Sequence, residues 1–183
     1  MILITVGTEK FPFNRLMKWV NHLIAQNLIQ PTLEEVIIQY GSCTIVPQEV
    51  DSYRLLPASK FVSLVEQADV IIAHCGEGTI DLLTGLNKPF ILVPRSGKHL
   101  EHVDDHQIEL AEQLAIKGVS IANSYSDLAS FLKSPQVSDN TKNLSPSKYY
   151  AQASIMLERQ FETEEVLADL SEDLLEGLAY ALS

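Results

Sequence analysis

Short apolar segments rich in Val and Ile alternate with longer amphipathic stretches along this 183-residue chain, and this alternation limits its fold most. The apolar segments cover residues 2–6, 36–40, 53–56, 69–73, 90–93 and 119–122. The amphipathic stretches cover residues 14–26, 59–67, 80–86 and 104–117. Strands that are apolar on both sides are typical of a parallel sheet with helices on both faces. The alternation therefore predicts right-handed βαβ crossovers and a doubly wound α/β domain.

A change of composition after residue 132 predicts three regions, of which the α/β domain, residues 1–132, is the first. Residues 133–147 contain two prolines, four serines and two asparagines, which is typical of a linker. In residues 148–183, apolar side chains recur at helical spacing, and residues 158–183 hold eight acids and one base. We therefore expect an acidic, amphipathic helical tail, with its apolar stripe formed by Leu167, Leu170, Leu174, Leu178 and Ala181.

The net charge of −11 argues against two classes of partner. Nucleic-acid-binding proteins normally present a basic surface, and an anionic membrane repels an acidic protein. No apolar run approaches the roughly 18 residues of a membrane span, and the apolar N-terminus lacks the basic start of a signal peptide. Cys43 and Cys75 have neither metal-ligand spacing nor a disulfide framework. We expect a cytoplasmic protein with reduced thiols and no direct membrane insertion.

Three loops are candidate binding sites, because ligands of doubly wound sheets lie beyond the carboxyl ends of the strands. In the loop at residues 75–79, Gly76 and Gly78 allow a close approach of the backbone, and the following helix start attracts anions. Thr79 could cap that helix or donate its hydroxyl to a phosphate. The loop lacks the third glycine of the dinucleotide fingerprint and the lysine of a Walker loop, so a plain turn is an equal alternative. Gly7-Thr8 follows the first strand in the same way, and a plain turn is again the alternative.

The third loop, residues 95–107, contains two bases, three histidines, three acids and a glutamine. One interpretation is a metal site, with His102 and His106 on one helix face and His99 or an acid as third ligand. The favoured interpretation is a polar site for a sugar and ribose, with Arg95 and Lys98 near phosphate charge. The chain has no H-E-x-x-H motif, and the adjacent acids suit the first turn of a helix. We therefore expect no metal and no cofactor.

Five separated motifs occur in an order that resembles the glycosyltransferase family 28 C-terminal domain. They are Ile-Thr-Val-Gly-Thr (4–8), Ala-Asp-Val-Ile-Ile-Ala-His-Cys-Gly-Glu-Gly-Thr-Ile (68–80), Gly-Leu-Asn-Lys-Pro (85–89), Val-Pro-Arg (93–95) and Glu-His-Val-Asp-Asp-His-Gln (101–107). The nearest group is similar to the donor-binding subunits of two-component bacterial exopolysaccharide glycosyltransferases. Its eukaryotic counterpart is the cytosolic subunit of the UDP-N-acetylglucosamine transferase that acts on dolichol-linked sugar. The resemblance covers about residues 1–122.

The resemblance implies a Rossmann-like half of the two-domain GT-B architecture and a UDP-sugar ligand. The loops at residues 7–8 and 76–79 would face the diphosphate, and residues 101–107 the ribose and sugar. The UDP-sugar-binding residues carried over are Gly7, Thr8, His74, Gly76, Gly78, Thr79, Arg95, Glu101, Asp105 and Gln107; the candidate catalytic acids are His102 and His106. Two residues depart from the family pattern: Cys75 replaces the usual Ala or Ser, and Glu77 puts an acid beside the phosphates.

The implied reaction moves a hexosyl or N-acetylhexosaminyl group from a UDP-sugar to a lipid-linked acceptor in exopolysaccharide synthesis. The chain has room for one GT-B half, so the resemblance implies a donor-binding subunit that a membrane-associated, acceptor-binding partner recruits to the inner membrane face. A homodimer is an alternative assembly. Two other functions stay open: a non-catalytic UDP-sugar-binding module for regulation or assembly, and a metal-dependent hydrolase built on His102, His106 and an acid.

Overall fold

The computed structural model describes residues 1–137 and contains a six-stranded, entirely parallel sheet in the order β3-β2-β1-β4-β5-β6. The strands are β1 (Ile2–Thr5), β2 (Val36–Gln39), β3 (Asp51–Tyr53), β4 (Val70–His74), β5 (Phe90–Val93) and β6 (Ser120–Ile121). The helices are α1 (Asn14–Ala25), α2 (Ala58–Gln67), α3 (Glu77–Thr84), α4 (His106–Ile116) and α5 (Tyr125–Lys133), with a 3-10 turn at Gly97–His99. The predicted Rossmann-like, doubly wound α/β fold is confirmed.

Two apolar layers cover the two faces of the sheet, which explains why the strands β1, β2, β4 and β5 are largely apolar. Alternate strand residues such as Ile4 and Ile38 pack with α1 and α5. Their chain neighbours, such as Leu3 and Ile37, pack with α2, α3 and α4 on the other face. Because successive side chains of a strand point to opposite faces, both faces are buried only if every position is apolar.

The strand order reverses between β1 and β4, and this reversal positions the candidate site. From β1 the chain builds outward through β2 and β3, and it then returns to add β4, β5 and β6 on the other side. The loops that leave the carboxyl ends of β1 and β4 therefore diverge, and a crevice opens between them. Gly7 and Gly76 lie in these two loops.

Three elements begin two or more residues away from their predicted starts. β3 covers Asp51–Tyr53 instead of 53–56, because an edge strand is placed by its pairing with β2 and its own side chains are largely exposed. α3 begins at Glu77 instead of residue 80, directly after Gly76 as N-cap. α4 begins at His106 instead of residue 104, so His102 lies before the helix and not on its face.

The predicted tail, residues 148–183, and most of the predicted linker, residues 133–147, lie outside the described residues. Among the helices of residues 1–137, none combines the length and the apolarity that crossing a membrane requires.

Candidate functional site

The ring of His74 lies at the crevice between the two glycines that follow β1 and β4. A Cβ atom added to Gly7 would lie 2.5 Å from Cε1 of His74, and one added to Gly76 would lie 2.4 Å from Nε2. Both distances are far below van der Waals contact, so neither position tolerates a side chain while the ring stays in place. The sequence predicts that a ligand approaches these glycines; in the structure, both also leave room for the ring of His74.

His74 is a neutral imidazole in this environment. The residue is 8% exposed, and its Nδ1 has no hydrogen-bond partner among the described residues. Burial, and secondly the positive charge of Arg95, lower the pKa of His74 to about 3. A neutral imidazole has one N–H donor and one bare nitrogen acceptor. The second ring nitrogen, Nε2, lies beside Gly76.

The start of α3 has free backbone donors beside that nitrogen. Gly76 is the N-cap, and no side chain caps the helix, so Thr79 does not have the capping role considered from the sequence. The first backbone bond of the turn runs from Ile80 N to Gly76 O at 2.9 Å. A Cβ added to Gly78 would meet no atom within 4 Å, so Gly78 borders open space. Helix starts of this kind attract anions through their free N–H groups and the helix dipole.

Glu77 adds a negative charge at the same place. It is the acidic residue in the first turn of α3, and its side chain is exposed. A carboxylate there stabilises the helix through the same dipole that would attract a phosphate. Glu77 and an anionic ligand would therefore compete for one region of positive potential.

Gln39, a site residue that the sequence analysis missed, fixes the turn after β1. Its Oε1 accepts from Thr5 Oγ1 at 2.6 Å and from Gly7 N at 3.1 Å. Its Nε2 donates to Gly7 O at 3.0 Å and to Arg54 O at 3.1 Å. Both backbone groups of Gly7 are therefore hydrogen-bonded to one side chain, so Gly7 has little freedom to move. A glutamine in the otherwise apolar segment 36–40 was the signal that could have identified it. Thr8 is exposed at the next position.

Arg95 is fully buried and binds the protein's own backbone. One terminal nitrogen donates to Phe11 O at 2.7 Å and Glu101 O at 3.1 Å, and the other donates to Val6 O at 2.6 Å. The guanidinium also lies 4.8 Å from the ring of Phe13. We expected Arg95 to meet phosphate charge, but its terminal donors instead join the loop after β1 to the loop after β5.

Glu101 is also buried, and it pairs with Arg15 of α1 instead of facing open space. Its two carboxylate oxygens meet Arg15 Nε at 3.0 Å and the terminal nitrogen NH2 at 2.8 Å. The same carboxylate accepts from Ser96 N at 3.2 Å, and Arg15 donates to Pro94 O at 2.7 Å. The structure thus makes Glu101 a brace between α1 and the third loop, and the sequence analysis did not consider Arg15.

Asp105 and Gln107 complete the bracing of the third loop. Asp105 Oδ1 accepts from Ser96 Oγ at 3.0 Å and from Gly97 N at 2.8 Å. Gln107, which is 3% exposed, accepts from Arg95 N through Oε1 at 3.2 Å. Acceptor atoms of both side chains are therefore hydrogen-bonded within the loop itself.

His102 and His106 lie together although no helix joins them. Their ring centroids are 4.5 Å apart, and His102 also lies 6.2 Å from the ring centroid of Phe11. Asp104 Oδ1 is 3.1 Å from Nδ1 of His102 and 2.5 Å from Nδ1 of His106. Hydrogen bonds from His106 first, and then from His102, lower the pKa of Asp104.

Cys75 is a buried, unreactive thiol. Burial raises its pKa to about 12, so the nucleophilic thiolate is not formed near neutral pH. Cys43 is also a buried free thiol.

The reversal of strand order and the helices on both faces define a doubly wound α/β protein of the Rossmann-like class. Within that class, the chain belongs to the glycosyltransferase family 28 C-terminal domain family, whose sequence pattern it matches over residues 1–164.

Individual relatives are longer than this chain. It is 27% identical over 105 residues to a protein of Candida albicans (strain SC5314 / ATCC MYA-2876) named UDP-N-acetylglucosamine transferase subunit ALG13. That match covers 57% of this chain and 32% of the relative. Among solved structures, the glycotransferase of kitacinnamycin has a TM-score of 0.49 at 16% identity, covering 94% of this chain and 43% of that one. The glycosyltransferase SnogD from Streptomyces nogalater has a TM-score of 0.47 at 18% identity, covering 92% and 43%.

Proposed function

We propose that this chain is the donor-binding subunit of a glycosyltransferase that uses a UDP-sugar. In this proposal a hexosyl or N-acetylhexosaminyl group moves to a lipid-linked acceptor in exopolysaccharide synthesis. Membership of family 28 supports the class of reaction. The name of the Candida albicans relative, a subunit of a UDP-N-acetylglucosamine transferase, supports both the nucleotide sugar and the division into subunits.

The observation that carries the proposal is the set of unpaired donors at the crevice. Nε2 of neutral His74 lies beside Gly76, where the uncapped α3 begins, and Gly78 leaves the space next to that turn open. In this proposal the neutral imidazole carries its proton on Nε2, and a diphosphate has enough acceptor oxygens to use that N–H and several backbone N–H groups at once. These groups are fixed by the fold, so they would stabilise the UDP leaving group without reorganisation.

The remaining predicted residues take three kinds of role in this proposal. Thr8 and Thr79 are hydroxyl donors at the two glycine loops. His102 and His106, at the rim, are the candidate acids for the leaving group. Arg95, Glu101, Asp105 and Gln107 act as positioning residues, because each spends hydrogen-bonding atoms on the crevice loops.

A complete enzyme would need a second half that holds the acceptor. We propose a membrane-associated partner that recruits this cytoplasmic chain to the inner face of the membrane. The acidic tail is the proposed docking element, since an apolar helical stripe needs a surface to cover it. Removal of residues 164–183 should then abolish association with the partner and leave UDP binding intact. Loss of UDP binding in the truncated chain would contradict this division of roles.

Thermal unfolding with and without UDP tests the donor site. Binding to the native state alone raises the melting temperature, so UDP should do so. Thr79→Ala should reduce the shift, because the lost hydroxyl leaves a phosphate oxygen without its donor. Thr32→Ala is the matched control, since Thr32 is exposed in the loop before β2, at the amino ends of the strands and away from the crevice. No shift at millimolar UDP would contradict the donor site.

Glu77 favours a second candidate, a UDP-sugar-binding module without turnover. An acid in the turn that would face the phosphates is unfavourable for tight binding of a polyanion. A transfer assay with the membrane partner separates the two candidates: the subunit should support sugar transfer, whereas the module should bind UDP and transfer nothing.

A further inference from the structure

Three side chains with metal-binding atoms meet just before α4. His102, Asp104 and His106 each offer one ligand atom, and these atoms all lie within 4.8 Å of one another. Two imidazole nitrogens and one carboxylate oxygen form a common ligand set for divalent transition metals such as Zn²⁺.

The spacing of these atoms is close to what one ion needs. Ligand bonds to Zn²⁺ are about 2.0–2.2 Å, so two ligands of a tetrahedral ion lie roughly 3.4 Å apart. Asp104 Oδ1 now lies 3.1 Å and 2.5 Å from the Nδ1 atoms of the two rings. An entering ion would replace these contacts, with shifts of about 1 Å that side-chain rotation can supply.

The burial of the three side chains suits such an adjustment. The side chain of His102 is only 10% exposed and is held beside the rings of Phe11 and His106. Those of Asp104 and His106 are 57% and 48% exposed, so both can turn toward an ion. One ligand is therefore already oriented, two are adjustable, and the open side leaves coordination positions for water.

The backbone keeps the three residues near each other. Asp104 Oδ1 accepts from His106 N at 3.2 Å, and Asp105 binds Gly97 N at 2.8 Å, which fixes the turn before α4. The three ligands stand at every second position of one five-residue segment, so bringing them around one ion costs little conformational entropy. The sequence analysis set a metal aside when it placed the acids in a helical first turn. Because α4 begins only at His106, Asp104 instead lies between the two rings.

We propose that His102, Asp104 and His106 bind a divalent transition-metal ion such as Zn²⁺, through one ring nitrogen from each histidine and a carboxylate oxygen. Ring nitrogens that bind an ion are not free to donate a proton, so in the metal-bound chain His102 and His106 do not serve as acids for the leaving group. Binding of the ion itself does not require UDP. A bound ion would connect His102 and Asp104 of the third loop to His106, the first residue of α4.

Calorimetric titration of Zn²⁺ into the full, tag-free chain without nucleotide tests this site. One ion per chain should bind with micromolar or tighter affinity. His106→Ala and Asp104→Asn should each weaken binding at least about tenfold, because loss of a ligand should cost no less than the roughly 10–100-fold caused by loss of a group that only orients a ligand. Asparagine keeps an acceptor for His106 N, so this variant should retain the fold. His99→Ala is the control, since His99 belongs to the same loop but not to the cluster.

Two results would overturn the proposal. The first is the absence of stoichiometric Zn²⁺ binding to the folded wild-type chain. The second is binding that His106→Ala and Asp104→Asn leave unchanged, or that His99→Ala reduces equally, because the ion would then lie elsewhere. Failure of UDP binding would not affect either result, since the titration contains no nucleotide.

Discussion

At the scale of single residues, the crevice depends on the fit between His74 and two glycines. Gly76 has a φ of −94°, which any residue adopts, so only the ring prevents a side chain there. Gly78, two residues further on, borders open space. The two glycines of one short loop therefore serve different purposes, and substitution by alanine separates them.

Gly76→Ala should lower the free energy of unfolding by about 1–3 kcal/mol, the usual cost of overpacking. Gly78→Ala should leave it unchanged or raise it by up to about 1 kcal/mol, because alanine favours a helix. Urea denaturation measures both values. Adding His74→Ala to Gly76→Ala should recover part of the loss, and an unperturbed Gly76→Ala protein would contradict the described packing.

The low pKa of His74 makes stability depend on pH in a defined direction. The folded chain holds the imidazole neutral down to a pKa of about 3, whereas the unfolded chain takes up the proton below its ordinary pKa of 6.5. The unfolded state therefore binds more protons between these values, and stability falls as the pH is lowered through this range. The slope for one proton is about 1.4 kcal/mol per pH unit.

Urea denaturation of wild type and of His74→Gln at several pH values, from about 7 down to about 4, checks this slope. The variant should lose the His74 contribution to the pH dependence. His22→Gln is the control, because His22 lies on α1 and its ring contacts the exposed Gln26. Parallel pH profiles for wild type and His74→Gln would show that the ring is not held neutral.

At the scale of elements, α3 presents both an attraction and an obstacle to an anion. The free N–H groups of its first turn attract negative charge, but the carboxylate of Glu77 already lies there and repels an anionic ligand. Glu77→Gln should therefore tighten UDP binding several-fold at low salt, and the gain should shrink as salt screens the interaction. Calorimetry at two salt concentrations measures the effect.

The matched control for Glu77→Gln is Glu109→Gln, since Glu109 is the acid in the first turn of α4. It should leave UDP affinity unchanged. It should also lower the stability of α4 by a fraction of a kcal/mol, as Glu77→Gln should do for α3. Weaker UDP binding in Glu77→Gln would mean that the carboxylate contributes to the site.

The predictability of each element from sequence follows from the range of the interactions that determine it. β1 and β4 were predicted to within one residue at each end, because their apolar character is local and both faces are buried. The edge strand β3 was misplaced, because its pairing with β2 determines its position. The roles of Arg95 and Glu101 could not be predicted, since a charged loop residue suits a ligand and a buried partner equally. The partner of Glu101 is Arg15, 86 residues earlier in the chain.

At the scale of the whole molecule, the described residues form one α/β layer structure with its candidate site at the switch point between β1 and β4. Loops from both halves of the sheet reach this point. Arg95 joins the loop after β5 to the loop after β1, and Arg15 joins α1 to the loop after β5 through Glu101. The turn after β1, one wall of the crevice, is thus held in a fixed position, and a fixed site is the preorganisation that binding a leaving group requires.

The most direct test of the donor site is a calorimetric titration of UDP into wild type, Gly78→Ala and Gly85→Ala. Gly85 ends α3, and a Cβ there would have only ordinary contacts, so this variant is the matched control. One UDP should bind per wild-type chain, Gly78→Ala should weaken it about tenfold (about 1.4 kcal/mol) without loss of stability, and Gly85→Ala should bind normally. Absence of binding to wild type, or equal binding to wild type and Gly78→Ala, would contradict a UDP site at the start of α3.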